Sequence, residues 1–195
     1  MSVRQSLLAI LDQGPCYGYQ LRAEFERRTG ASSPLNVGQI YNTLERLERD
    51  GLVAKGETDA QGHVFYEITQ TGSREVARWL AAPVVRDAGT RDELAVKIAI
   101  GATLPGVDVA QIVRIQRGAA RERRDSLRRA QPTGAPSEGP EALARAMMLD
   151  STIFAVEAEL KWLDSVDERL ARHPEHTLTL GLATDRPRRG RPAQV

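Results

Sequence analysis

Cysteine is almost absent from the 195 residues: Cys16 stands alone, so no disulfide can close within the chain. That excludes a disulfide scaffold and points to a reducing compartment. Long apolar runs are also missing. The longest, residues 98–107, is broken by Gly and Pro, and a membrane span needs about 18 or more apolar residues in a row. Residues 7–11 are too short for the apolar centre of a secretion signal, so a cytoplasmic location without a membrane is expected. Histidine is scarce, with His63, His173 and His176 only. The last two flank a helix end beside Glu175 with no thiolate partner, so no metal site is expected. There is no Gly-rich phosphate loop, no G-x-S-x-G and no H-E-x-x-H. Neither catalysis nor a cofactor is indicated.

What is present suits a globular protein with a real core. Hydrophobic residues make up 41% of the chain, enough at this length to bury about 70% of the unfolded surface. The net charge of +1 is unevenly spread. Residues 1–82 sum to −1, residues 83–131 to +4, residues 132–173 to −4 and residues 174–195 to +2. Bulk charge alone would not mark the first segment as a nucleic-acid binder.

The order of elements is more telling. Helical periods run over residues 2–13, 17–28 and 37–50, with Gly14-Pro15, Gly30 and Gly51 as stops. Residues 52–55 and 64–68 read as short strands joined through a polar turn ending in Gln61-Gly62. A helical pattern resumes over 71–82. Three helices, a hairpin and a helix form a winged helix-turn-helix layout, expected as a DNA-binding domain over residues 1–82. Residues 83–173 read as wholly helical and are expected to form a dimerisation domain. The fold class is therefore mainly α, with a two-stranded wing. Residues 174–195 lack a helical or strand period and are expected as a disordered basic tail.

The last helix carries a seven-residue period. Leu149, Val156, Leu163 and Leu170 form one row, with Ile153 and Leu160 in the row beside it. Burial within one chain and a homodimer interface both fit. A helix more than about 40 Å long is hard to cover with the shorter helices left, which favours the interface. Trp79 and Trp162 read either as core or, with Phe154, as an aromatic effector pocket. Cys16 reads as a small buried residue, with redox sensing as the alternative.

The third helix separates into two faces. Ile40, Leu44 and Leu47 fall within about 60° of one another and must face the core. Gln39, Asn42, Thr43 and Arg46 share another sector. Amides suit adenine, Arg suits guanine, and Thr suits a thymine methyl or a phosphate. A solvated face is the plainer reading, and the hairpin that follows shifts the balance toward a reading helix. In the hairpin, Lys55 and His63 are candidates for phosphate contact.

Residues 7–80 resemble the N-terminal domain of the PadR family of bacterial transcriptional regulators. The resemblance lies in GPCYGYQL (14–21), GQIYNTLERLERDGLV (38–53) and HVFYEITQTG (63–72). The second stretch is the most specific, with Tyr41, Leu44, Leu47, Glu48 and Gly51-Leu52 at the family's spacing. RDELAVKIAI (91–100) and the helices after it resemble the C-terminal domain of the longer PadR subgroup. The resemblance implies a homodimeric repressor bound to an inverted-repeat operator in double-stranded DNA. It adds Tyr41 to Asn42, Thr43 and Arg46 as helix contacts. It also implies that a small aromatic or cationic effector could bind between subunits. The wing departs from the pattern: Asp59, Ala60, Gln61 and Gly62 stand where many members carry Arg or Lys. A dimeric winged-helix adaptor that binds protein instead of DNA is the alternative, in keeping with the −1 of residues 1–82.

The tail contains Arg188-Arg189-Gly190-Arg191-Pro192, which resembles an AT-hook. Gly lets an extended backbone sit in a narrow minor groove, and Arg189 and Arg191 would lie along its negative potential.

Overall fold

Five apolar residues in succession leave the second half of the first helix no solvent face. In a computed structural model, which describes residues 2–30, 35–85, 93–131, 139–173 and 179–183, Leu7 to Leu11 are all buried. They form the end of α1 (Ser2–Leu11) and the centre of the main core. Around α1 are β1 (Cys16–Tyr17), α2 (Gly18–Thr29), α3 (Val37–Arg49), β2 (Val53–Thr58), β3 (Val64–Ile68), α4 (Gln70–Ala81) and α5 (Glu93–Gly101). Two further helices follow, α6 (Val109–Arg129) and α7 (Pro140–Ala171). The protein is mainly helical, with a winged N-terminal region and a helical C-terminal region, as the sequence pattern predicts.

The strands form one antiparallel sheet in the order β1-β3-β2. A register shift between Lys55 and Thr58 bends the wing. β1 is a departure from the sequence reading, which put Tyr17 in a helix. Cys16 and Tyr17 pair instead with Tyr66 and Phe65. This places Cys16 in the core, where burial pushes its thiol up to about 12. A thiol so placed is a packing residue and not a redox sensor.

The chain divides into two bodies, Met1–Val109 with Leu178–Val195, and Ala110–Thr177. The segment expected as one helical domain over 83–173 is thus split. α5 packs on α1 and α2, because Leu94, Ile98 and Ile100 give it an apolar face that the winged domain buries. Residues 179–183, expected within a disordered tail, instead lie against the first body, with Leu182 on its core.

In the second body α6 and α7 run antiparallel. Gln116 donates to Glu159 at 2.7 Å, Arg117 pairs with Asp164 at 3.2 Å, and Gln131 donates to Asp150 at 3.3 Å. Val156 and Leu160 pack on Ala120 and Leu127 of α6. Ile153 and Leu163 are buried as well, whereas Leu149 and Leu170 are half-buried. The heptad seam expected to face a partner is therefore largely covered within the chain. The reason is length: α6 has 21 residues, about 31 Å, long enough to shield the second half of α7.

Candidate nucleic-acid interface

α3 is held at its N-terminus by a capping box. Asn36 Oδ1 accepts from the Gln39 backbone N–H at 2.7 Å, and Gln39 Oε1 accepts from the Asn36 N–H at 3.3 Å. Two backbone donors that begin the helix are thereby satisfied. Ile40, Leu44 and Leu47 are fully buried, so the rotation of the helix about its axis is fixed. That rotation leaves Gln39, Asn42 and Arg46 exposed and Tyr41 and Thr43 half-buried. The predicted polar sector is thus brought together on one outward face. Gln39 is partly committed to the cap, and Thr43 Oγ1 donates back to the Gln39 carbonyl at 2.7 Å. Arg46 makes no salt bridge with any described residue.

Tyr41 reaches the start of α2. A Cβ at Gly18 would lie 2.7 Å from the Tyr41 ring, so only glycine lets the two helices approach in this way. Tyr17-Gly18-Tyr19 carries no local sign of this contact, which arises only where α2 and α3 cross.

The wing side chains are placed less openly than the sequence suggested. Lys55 Nζ pairs with Glu48 of α3 at 2.8 Å, which ties the wing to that helix and offsets its charge. His63 stacks on Tyr17 with ring centroids 4.5 Å apart, and its Nδ1 lies 3.0 Å from Asp59 Oδ2. Asp59 also accepts from the Gln61 and His63 backbone N–H groups at 2.9 and 3.0 Å. The His63 N–H is the main reason its carboxyl is held below the usual range. The wing turn is built around a carboxylate, and His63 braces it. Neither residue stands out as a free cation for phosphate.

The remaining candidates belong to different bodies or lie outside the described residues. Trp79 is buried in the first body, with Lys97 Nζ 5.6 Å from its ring centroid. Phe154 is exposed and Trp162 half-buried on α7 of the second. Arg189 and Arg191 lie outside the described residues. Among the described residues no group of His, Cys, Asp and Glu could hold a metal ion, and no helix is long and apolar enough to cross a membrane.

Residues 7–78 match the model of the transcriptional regulator PadR-like family, and residues 90–171 match that of the virulence activator alpha C-terminal domain. The chain is 30% identical over 190 residues to the probable transcriptional regulator Rv1176c of Mycobacterium tuberculosis, covering 87% of this chain and 98% of that one. The chain belongs to the PadR-like family of transcriptional regulators. That family comprises regulators and not enzymes, in line with the missing catalytic motifs. Among solved structures, Bacillus subtilis PadR in complex with operator DNA is 20% identical, with 85% of this chain and 97% of that chain covered and a TM-score of 0.41. RosR of H. salinarum is 29% identical over 41% of this chain and 70% of its own, with a TM-score of 0.37. In this PadR-like regulator the motif positions Tyr41, Asn42, Thr43 and Arg46 all fall on α3, within the matched region.

Proposed function

We propose that this PadR-like regulator is a homodimeric repressor that reads an inverted-repeat operator in double-stranded DNA with α3. The observation that carries the reading is the two-faced α3: three fully buried leucine and isoleucine side chains fix it, and Asn42 and Arg46 stand exposed opposite them. A helix entering the major groove would offer these two to base edges, with half-site centres about 34 Å apart or a multiple of it. The apolar stripe of α7 that is still uncovered supports the dimer. Leu143, Met147 and Phe154 are each at least 63% exposed and lie within about 40° on the helix. A second copy of the chain is the occupant that a self-complementary stripe on one helix suits. Relief of repression by a small aromatic or hydrophobic effector belongs to the same reading, and quenching of Trp162 fluorescence by planar aromatics tests it.

The decisive experiment is fluorescence anisotropy with the duplex upstream of the protein's own gene, against random duplex of equal length. Specific binding should exceed random binding by at least about a thousandfold. Substituting Asn42→Ala with Arg46→Ala should abolish that preference and leave the oligomeric state unchanged. Retained preference in the double variant would remove α3 as the reading head. Absence of any preference in the parent chain, tested across the genome's intergenic duplexes, would favour the protein-binding adaptor.

A further inference from the structure

One polar face of α2 is turned away from water. Gln20, Glu24, Arg27 and Arg28 fall within about 100° of one another on the helix, a pattern that ordinarily faces solvent. Here the Glu24 and Arg28 side chains are 1% and 0% exposed and pair at 3.0 Å. Arg28 also donates to the carbonyl and the hydroxyl of Thr103, each at 3.0 Å. A buried guanidinium and carboxylate have more donors and acceptors than one ion pair satisfies. The further partners come from main chain far along the sequence.

Residues 179–183 supply them, lying along α2 as an extended strap. Arg28 Nη2 donates to the Leu180 carbonyl at 3.0 Å, Arg27 Nη2 to the Gly181 carbonyl at 2.6 Å, and the Ala183 N–H to Glu24 Oε1 at 2.9 Å. Gln20 Nε2 makes a longer contact of 3.5 Å to the Ala183 carbonyl. The Leu180 N–H donates to the Thr103 carbonyl at 3.0 Å. The strap thus starts beside Arg28 at the end of α2 and finishes beside Gln20 in its first turn. About 10 Å of extended chain matches about 12 Å of helix.

Each of these bonds uses a main-chain group of the strap. Among the described residues the strap adds one side chain to the core, Leu182, whose Cδ1 would lie 3.4 Å from a Cβ at Gly14. A surface that grips main chain and takes one leucine is built as a peptide groove. Main-chain bonds supply affinity there, and the side-chain pocket supplies selectivity. The groove also adjoins α3. In the first turn of α2, where the strap finishes, Gly18 meets the Tyr41 ring with no room for a Cβ.

We propose that this face of α2 is a binding groove for an extended, leucine-bearing peptide and that residues 179–183 are its resident ligand. Resting on the DNA-binding reading, occupancy of the groove holds α2 against α3 and so keeps Asn42 and Arg46 in place for the operator. Strap and groove form an exchangeable contact, because the groove recognises few side chains of its ligand.

The test uses the full-length chain as the parent and as two strap variants, Leu182→Asp and Ala183→Pro. The second removes the N–H that Glu24 accepts and leaves the leucine, so it reports even if the first unfolds. The probe is a fluorescein-labelled peptide of residues 178–184. Both variants should bind it at least about tenfold more tightly than the parent, whose tethered strap competes at roughly millimolar effective concentration. The same peptide carrying Leu182→Asp should not bind. Arg27→Ala added to Ala183→Pro should weaken the probe about fivefold, since a charged donor to a carbonyl is lost. On the upstream duplex the strap variants should lose about tenfold of their preference over random duplex, and saturating peptide should restore it. Failure of both variants to bind the probe, or equally tight binding by the parent, would overturn the groove. Undiminished preference in both variants, or probe binding without recovery of preference, would overturn the link to α3. If the parent itself shows no preference, the DNA-binding reading fails and that link with it, while the probe still decides the groove.

Discussion

Lys97 is a charge inside a core. It is 1% exposed, its Nζ donates to the Ala82 carbonyl at the end of α4, and it lies over the Trp79 ring. Burial pushes its ammonium down from 10.5 to about 8, against a smaller upward pull from Glu93. Below pH 8 both folded and unfolded chains hold the proton, and the folded state bears the full cost of the buried charge. Between 8 and 10.5 the folded chain has released the proton while the unfolded chain keeps it, so stability rises with pH through that window. The rise is on the order of 3 kcal/mol. Urea unfolding from pH 7 to 10 should show it in the parent chain and not in Lys97→Met; parallel curves for the two would refute it. The sequence hid this residue. In RDELAVKIAI a lysine among apolar residues reads as one polar point on an amphipathic helix, and burial by α4 is a long-range event. The outward face of α3 was legible for the opposite reason: the period of Ile40, Leu44 and Leu47 fixes α3 locally, so Asn42 and Arg46 had to face outward. His63 and Lys55 were legible as wing residues but not in their engagements, because Tyr17 and Glu48 come from distant positions.

At the scale of elements, the junction of wing and α4 depends on one close approach. Thr69 caps α4 by accepting from the Gly72 N–H at 3.1 Å, and its own hydroxyl donates to the Gly51 carbonyl at 2.8 Å. This draws the first turn of α4 onto the chain that enters β2. A Cβ at Gly72 would lie 2.2 Å from the Leu52 carbonyl oxygen. That obstacle is backbone and cannot swing aside. Gly72→Ala should therefore destabilise the domain by about 1–3 kcal/mol, despite the gain in helix propensity. A urea midpoint equal to the parent's would contradict it. The helices, β2 and β3 were readable because their periods and stops are local. β1 was not, since two residues carry no period and pair with β3 some fifty positions on. The packed segment 179–183 is hard to see in the sequence, because the alternation of Leu180 and Leu182 is short and is followed by Pro and Arg residues. The period of α7 marks a seam, but a heptad does not say whose helix fills it, and α6 covers most of what the sequence assigns to a partner.

For the whole molecule the open question is what covers the rest of α7. α6 reaches the second half of the helix and leaves Leu143, Met147 and Phe154 in water on the first. Such a stripe costs solubility in a monomer and is removed when two copies pair along it. Under the proposed dimer, pairing also matters for affinity, because two copies of α3 on one body would bind the second half-site at high effective concentration. Met147→Glu with Phe154→Glu places two carboxylates in that stripe and touches neither the α6 contacts nor α3. Light scattering behind a sizing column should show the parent at about twice the 21.5 kDa chain mass and the variant at the chain mass itself. Operator affinity should fall by about 100-fold or more, while binding to random duplex changes little, since α3 is intact in each copy. A variant that stays dimeric would move the interface off this stripe. A monomeric variant with undiminished operator affinity would mean that each chain reads its site alone, and the inverted-repeat reading would go with it.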